Sequence, residues 1–271
     1  MSEFKKFVLS NGVEISSFGL GVYKSGENTY NAVKTALELG YRHIDTAAFY
    51  GNEDAVGQAV RDSKIPREDI FVTTKLWNDD QRQGTQEQAF ESSLKKLDIG
   101  YIDLYLVHWP VPEKYVDTWK MMQQFYNTGK VRAIGVSNFM QHHLEDVLAL
   151  DGVKPMVDQF ECHPECARRE LREFCKNNGI VAEAWSPLAR GAYFDNELLV
   201  SLAEKYGKTP AQIILRWDYQ GDIVTIPKSV TEKRIKENMD ILDFSLTDEE
   251  MEQIFAMDKN SMHGDPDNFD F

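Results

Sequence analysis

The stretch Ile102-Asp103-Leu104-Tyr105-Leu106-Val107-His108 reads as a buried strand that ends on an ionisable residue. It has strand length, β-forming residue types and no 3.6-residue period. The same form recurs along the chain. Towards the start lie Ile70–Lys75, which ends on a lysine, Tyr41–Asp45, which ends on an aspartate, and Gly19–Val22. Towards the end come Ala133–Val136, Met156–Gln159, Ile180–Trp185 and Ile223–Ile226. Amphipathic helical patterns fill the gaps, among them Thr29–Leu39, Asn52–Asp62, Gln86–Leu97 and Pro210–Tyr219. Strands that alternate with helices predict a parallel sheet, because parallel neighbours need a crossover. Eight such units favour closure, so the expected fold is α/β, a (β/α)8 TIM barrel. A doubly wound open sheet is the weaker alternative, since no G-x-G-x-x-G follows the first strand.

Outside the repeat, Phe7–Ser10 and Val13–Ile15 flank Asn11-Gly12, a pair that favours a type I′ turn and so an N-terminal β-hairpin. Thr247 and Glu250 have capping-box spacing ahead of Met251, Ile254 and Phe255. The short C-terminal tail, His263–Phe271, contains Gly264, Pro266 and two phenylalanines and reads as a docked loop. No Pro/Gly-rich linker divides the chain, so residues 1–271 read as a single barrel domain.

Composition narrows the function classes. The chain has 44 acidic against 30 basic residues, a formal charge of −14, which repels nucleic acid and anionic membrane. No apolar run reaches the ~18 residues of a spanning helix. The segment MSEFKKFVLSNG has charge but no apolar core, so no leader peptide is read there. The three cysteines are sparse and odd in number, which points to a reducing compartment rather than a disulfide framework. A cytoplasmic monomer without nucleic-acid or membrane partners is expected. If such an acidic protein binds a phosphorylated ligand, it needs a local basic cluster. Lys228, Lys233, Arg234 and Lys236 supply one, with Glu232 among them.

The polar residues at the strand ends carry the chemistry. Asp45 ends the second strand pattern, Lys75 the third, His108 the fourth, Gln159 the sixth and Trp185 the seventh; Ser137 and Asn138 follow the fifth and Lys228 the eighth. In a (β/α)8 barrel these ends meet at one mouth, where active sites lie. Asp45 is the natural partner of a buried Lys75. A lysine beside Tyr50 would favour its phenolate and lower its pKa from about 10 toward neutrality, making it a general acid for a carbonyl oxygen. His108 would bind and orient the same oxygen. No side chain supplies a hydride, so a cofactor must. Each residue alone also has a structural explanation: an ion bridge, a core histidine, a packed tyrosine. Those explanations weaken together, because all the residues converge on one mouth.

At this point the chain resembles the aldo-keto reductases over nearly its whole length. Gly40-Tyr41-Arg42-His43-Ile44-Asp45-Thr46-Ala47, with Tyr50, Asn52-Glu53 and Val56-Gly57, looks like one family signature. Arg132–Phe139 resembles a second, and Ile226-Pro227-Lys228-Ser229-Val230 with Arg234, Glu237 and Asn238 a third. The resemblance implies a catalytic tetrad of Asp45, Tyr50, Lys75 and His108. It also implies NADPH/NADP+ as cofactor. Ser137, Asn138 and Gln159 would hold the nicotinamide amide and Trp185 would stack on its ring, with Ser186 and Leu188 beside them. Lys228, Ser229, Val230, Arg234 and Asn238 would hold the 2′-phosphate and adenine. A tryptophan at the stacking position is the form found in the bacterial branch similar to 2,5-diketogluconate and glyoxal reductases.

Tyr23, Phe49, Trp77 and Trp109 follow strand ends and, with His108, make an aromatic substrate pocket. The short tail implies an open pocket that takes aldehydes, α-dicarbonyls and keto sugars. No metal is expected. Cys162-His163-x-x-Cys166 lacks the second pair of a zinc site, and His142-His143, at a helix start, reads as solvated. Two rival classes would use the same fold: a regulatory module that holds NADPH as a sensor, and a metal-dependent hydrolase. The intact tetrad argues against the first and the scarcity of ligands at strand ends against the second.

Overall fold

The computed structural model describes residues 4–271; Met1–Glu3, part of the segment read as lacking a leader, lie outside the described residues. An antiparallel hairpin, β1 (Lys6–Val8) and β2 (Glu14–Ser16), precedes eight parallel strands. These are β3 (Leu20–Gly21), β4 (His43–Asp45), β5 (Phe71–Leu76), β6 (Ile102–Val107), β7 (Val131–Ser137), β8 (Val157–Glu161), β9 (Val181–Trp185) and β10 (Val224–Thr225). They pair in chain order from β3 to β10. Parallel bridges Phe18↔Thr225 and Gly21↔Lys228 join the last strand to the first, which closes the barrel.

The helices between the strands are α1 (Thr29–Leu39), α2 (Glu53–Asp62), α3 (Asn78–Gln83), α4 (Gln86–Leu97), α5 (Tyr115–Asn127) and α6 (Gln141–Leu148). After them come α7 (Arg169–Asn177), α8 (Glu197–Tyr206), α9 (Pro210–Gln220), α10 (Glu232–Met239) and α11 (Asp248–Phe255). Their apolar faces pack on the outward side chains of the strands, such as Tyr105 and Val107 of β6. Where α2 meets the end of α4 the backbones approach so closely that a Cβ on Gly57 would lie 1.8 Å from the Leu97 carbonyl oxygen, so only glycine fits.

The hairpin covers the N-terminal end of the barrel. Leu9 and Ile15 join Phe71, Leu104, Leu106, Ala133, Met156, Val157 and Val224 in one apolar cluster that plugs the interior there. The turn differs from the sequence expectation. Gly12 alone takes a left-handed conformation, at φ +85°, whereas a type I′ turn needs positive φ at both central residues. Leu9 N–H donates to Val13 O and Gly12 N–H to Leu9 O, both at 2.8 Å, so the loop has three residues with glycine at its last position.

The capping box on α11 forms as read. Thr247 Oγ1 accepts from Glu250 N at 3.2 Å and Glu250 Oε2 accepts from Thr247 N at 2.8 Å. Thr247→Ala is therefore expected to cost about 1 kcal/mol, which thermal unfolding would register as a drop of about 2–4 °C for a chain of this size. An unchanged Tm would show that the cap contributes nothing.

Candidate active site

Side chains of a strand alternate in direction, so a polar strand end faces the barrel interior only if its parity is right. On β6, Leu104 and Leu106 face the interior cluster, so the next residue of that series is His108. On β5 the series is Phe71, Thr73, Lys75; on β8 it is Val157, Gln159. The same spacing brings Ser137 after Ala133 and Lys228 after Val224. The interior is thus apolar where the hairpin plugs it and becomes polar and open at the strands' C-terminal ends.

There Lys75 and Asp45 form an ion pair with almost no exposure. Lys75 Nζ donates to both Asp45 carboxylate oxygens at 2.7 Å and to the Thr46 carbonyl at 2.9 Å. Gln159 Nε2 donates to Asp45 Oδ2 at 2.8 Å. Tyr50, held by a short turn after β4, places its ring 5.1 Å from Lys75 Nζ and meets the His108 ring edge-on at 5.8 Å. The buried Nδ1 of His108 has no hydrogen-bond partner among the described residues.

Burial raises the Asp45 carboxyl above its ordinary range, with Lys75 and Gln159 acting against that shift. Burial and then the Lys75 charge hold His108 well below the usual imidazole range, so the ring is neutral near pH 7. Beneath the pair, burial and the Asp45 charge push Glu183 up to about 8; its Oε1 lies 3.6 Å from His43 Nε2. Tyr50 corrects the sequence argument. Burial, then the Asp45 carboxylate, raise its hydroxyl well above the usual value instead of lowering it toward neutrality. The physical reason is first desolvation of the buried hydroxyl; Lys75, whose donors go to Asp45 and Thr46, does not offset that cost while Tyr50 is neutral.

Asp45, Tyr50, His108 and Gln159 line one end of a cavity of about 860 Å³ that runs to the third family-like segment, where it is lined by Lys228, Ser229, Val230, Arg234 and Asn238. Trp185, Ser186 and Leu188 line it between the two ends. Trp185 Nε1 donates to Asn138 Oδ1 at 2.8 Å, which fixes the indole; Asn138 Nδ2 donates to the His108 carbonyl at 2.9 Å. Ser137 Oγ donates to the Gln159 carbonyl at 2.8 Å. Lys228 and Arg234 make no ion pair within 4.0 Å among the described residues, although the whole chain is acidic. A groove with a flat aromatic wall and two free cations at its far end fits a phosphorylated dinucleotide.

The aromatic residues named from the sequence also meet there. Phe49 stacks on Trp77 with ring centroids 3.9 Å apart, and Tyr23 lies 4.9 Å from Tyr50. Sequence reading missed the tail's part in this wall. Phe271 stacks over Trp77 at 6.2 Å and meets Trp109 edge-on at 5.1 Å, and His263 and Gly264 line the same cavity. The two tail phenylalanines were visible as apolar residues in a polar segment, but nothing local says what they cover. Lys24 and Arg190 also line the cavity, in left-handed backbone at φ 54° and 58°, and no sequence signal marks them. His143 is a second correction. It is buried, and its Nδ1 accepts from the Met140 N–H at 3.1 Å at the start of α6; only His142 is solvated. Cys162 and Cys166 do not point at a common ligand: their thiols donate to the Ala167 and Glu161 carbonyls at 3.6 and 3.7 Å.

Comparison with known proteins agrees with this geometry. The Aldo/keto reductase family model matches residues 16–259. A glyoxal reductase from Bacillus subtilis is 52% identical, with 94% of each chain covered. The methylglyoxal reductase DkgA of Escherichia coli is 46% identical, with 96% of each covered. The crystal structure of a Gox0644 point mutant in complex with NADPH superposes with a TM-score of 0.94 at 40% identity, covering all of both chains. The chain is a member of the aldo/keto reductase family.

Proposed function

We propose that the protein reduces small aldehydes and ketones, α-dicarbonyls and keto sugars among them, to alcohols with NADPH. The observation that carries the reading is the meeting, in one cavity, of a tyrosine hydroxyl, a neutral imidazole and a buried Lys–Asp pair at one end with two unpaired cations at the other. Lys228 and Arg234 would hold the 2′-phosphate, with Ser229, Val230 and Asn238 around the adenine. Trp185 would stack on the nicotinamide, with Ser186 and Leu188 beside it, and Ser137, Asn138 and Gln159 would fix its amide. NADPH, when bound, supplies the hydride that the side chains lack.

Tyr50 and His108 act on the carbonyl oxygen. Tyr50 keeps its proton at neutral pH, because burial holds its hydroxyl above the usual range. It is therefore loaded as an acid before substrate arrives, and it releases the proton only when negative charge builds up on the oxygen in front of it. Lys75 then balances the phenolate left behind. His108, being neutral, donates a hydrogen bond to the oxygen without competing as an acid. Tyr23, Phe49, Trp77 and Trp109 form an apolar wall that holds the substrate loosely and excludes water. The relatives named for glyoxal and methylglyoxal support α-dicarbonyls as substrates.

We further propose that residues 1–271 act as one domain, as a monomer in the cytoplasm. Three buried free cysteines suit a reducing compartment, and no helix among the described residues is long and apolar enough to cross a membrane. Turnover of methylglyoxal with NADPH tests the reading; cofactor binding without any turnover would favour the sensor class.

Cofactor choice tests the phosphate end. A charge-assisted hydrogen bond contributes about 1.5–3 kcal/mol, so Arg234→Ala should raise the NADPH KM by roughly 10- to 150-fold and leave the NADH KM nearly unchanged. Steady-state kinetics with both cofactors read this out. Equal loss with both would place Arg234 away from the 2′-phosphate.

A further inference from the structure

Outside the tetrad, one buried cluster has no part in the proposed reaction. Glu161, at the end of β8, and His163, two residues on, are both fully buried, while His263 comes from the C-terminal tail, 102 residues away. Glu161 Oε1 lies 3.3 Å from His163 Nε2 and is also bonded by His263 Nδ1; the three ligand atoms lie within 4.8 Å of one another. His263 N–H donates to the other carboxylate oxygen at 2.7 Å. The far nitrogen of His163, Nδ1, lies 3.3 Å from the Tyr193 hydroxyl, an outer contact that turns Nε2 toward Glu161. Metal-bound histidines are oriented in this way. The nearby Cys166 thiol is taken up by the Glu161 carbonyl, so the converging donors are two nitrogens and one oxygen.

We propose that Glu161, His163 and His263 form a binding site for Zn²⁺ that clamps the C-terminal tail onto the barrel. Two histidines and a glutamate are an established zinc ligand set that leaves the fourth position to water. Tetrahedral zinc with bonds of about 2.0–2.1 Å separates its ligand atoms by about 3.3 Å. The Glu161–His163 pair has that spacing already. The His263 side chain is closer to Glu161 and 40% exposed, which leaves its ring room to turn, and the tail that carries it contains no helix. The tail is otherwise tethered nearby by Lys259 and Ser261 N–H groups on the Glu165 carbonyl. Because His263, Gly264 and Phe271 line the active cavity, metal at this clamp would hold the pocket wall in place.

The test is metal titration of the EDTA-treated full-length protein by calorimetry, with Co²⁺ as an absorbance probe. One equivalent of Zn²⁺ should bind saturably, and Co²⁺ should show tetrahedral bands without a sulfur charge-transfer band. Outer contacts alone contribute 10–100-fold to metal affinity, so loss of a ligand in His263→Ala should weaken binding by more than about 100-fold. His142→Ala, which alters the exposed His142–Asp267 pair farther along the tail, should leave binding unchanged. Zn²⁺ should also slow amide exchange across residues 258–271 in the parent but not in His263→Ala. Absence of saturable binding would mean a hydrogen-bonded latch only, and equal binding by His263→Ala, or a thiolate band with Co²⁺, would place the metal elsewhere; each overturns the proposal. Binding is read without turnover, so the result is independent of the reductase reading.

Discussion

Tyr50→Phe is expected to lower kcat for an aldehyde by about 10²–10⁴, the usual contribution of a positioned general acid. The substitution removes one hydroxyl and keeps the ring that packs against Tyr23, His108 and the Lys75 ammonium. Folding and NADPH affinity should therefore survive. The loss should appear in kcat and kcat/KM together, because the proton moves only as the oxygen gains charge. Steady-state kinetics and a fluorescence titration with NADPH on the same preparation measure both. A variant that keeps near-parental kcat would exclude Tyr50 as donor, and one that also loses NADPH affinity would show that the ring was displaced.

Lys75→Met should produce the second large effect, on rate and stability together. The substitution keeps the length of the side chain and removes its charge, which leaves Asp45 buried with only Gln159 to bond it. An uncompensated buried charge typically costs about 3–5 kcal/mol. Burial already raises the Asp45 carboxyl, and losing Lys75 removes a force that acts against the shift. A group whose pKa is raised by folding stabilises the protein fully at low pH and loses that contribution as pH rises through the folded value. The deficit of the variant should thus be smallest near pH 4, the ordinary aspartate pKa, and grow toward neutrality. Denaturation at two pH values reads this directly. Carbonyl reduction should fall as well, since nothing then balances a Tyr50 phenolate. A deficit that does not change with pH would mean that Asp45 stays ionised and finds other partners.

What could be read from the sequence follows from the range of the interactions. Asp45, Lys75, His108 and Gln159 were legible because each ends an apolar strand, and a period of two fixes which way it faces. Eight strand–helix units made the barrel the natural closure, and the Thr247–Glu250 cap is local. The misreadings have other causes. The hairpin loop holds the expected Asn11-Gly12, but only Gly12 takes a positive φ, and residue identity did not separate a two-residue turn from a three-residue one. His143 looked like its neighbour His142, yet one helical position apart they face the protein and the solvent. The acidity of Tyr50 was judged from Lys75 alone, whereas the shift depends on burial and on Asp45. The tail's contacts, Phe271 with Trp77 and His263 with Glu161, join residues too far apart in the chain for any local pattern to link them.

The central claim is hydride transfer from NADPH to a carbonyl carbon in this cavity. Its most direct test is mass spectrometry of the alcohol formed when the purified protein turns over methylglyoxal with NADPH carrying deuterium at the reactive nicotinamide carbon. The account predicts one deuterium on the new carbinol carbon in the parent protein, and product formation slowed by about 10²–10⁴ in Tyr50→Phe. Alcohol without deuterium, or NADPH bound but never consumed across a panel of aldehydes and ketones, would contradict it.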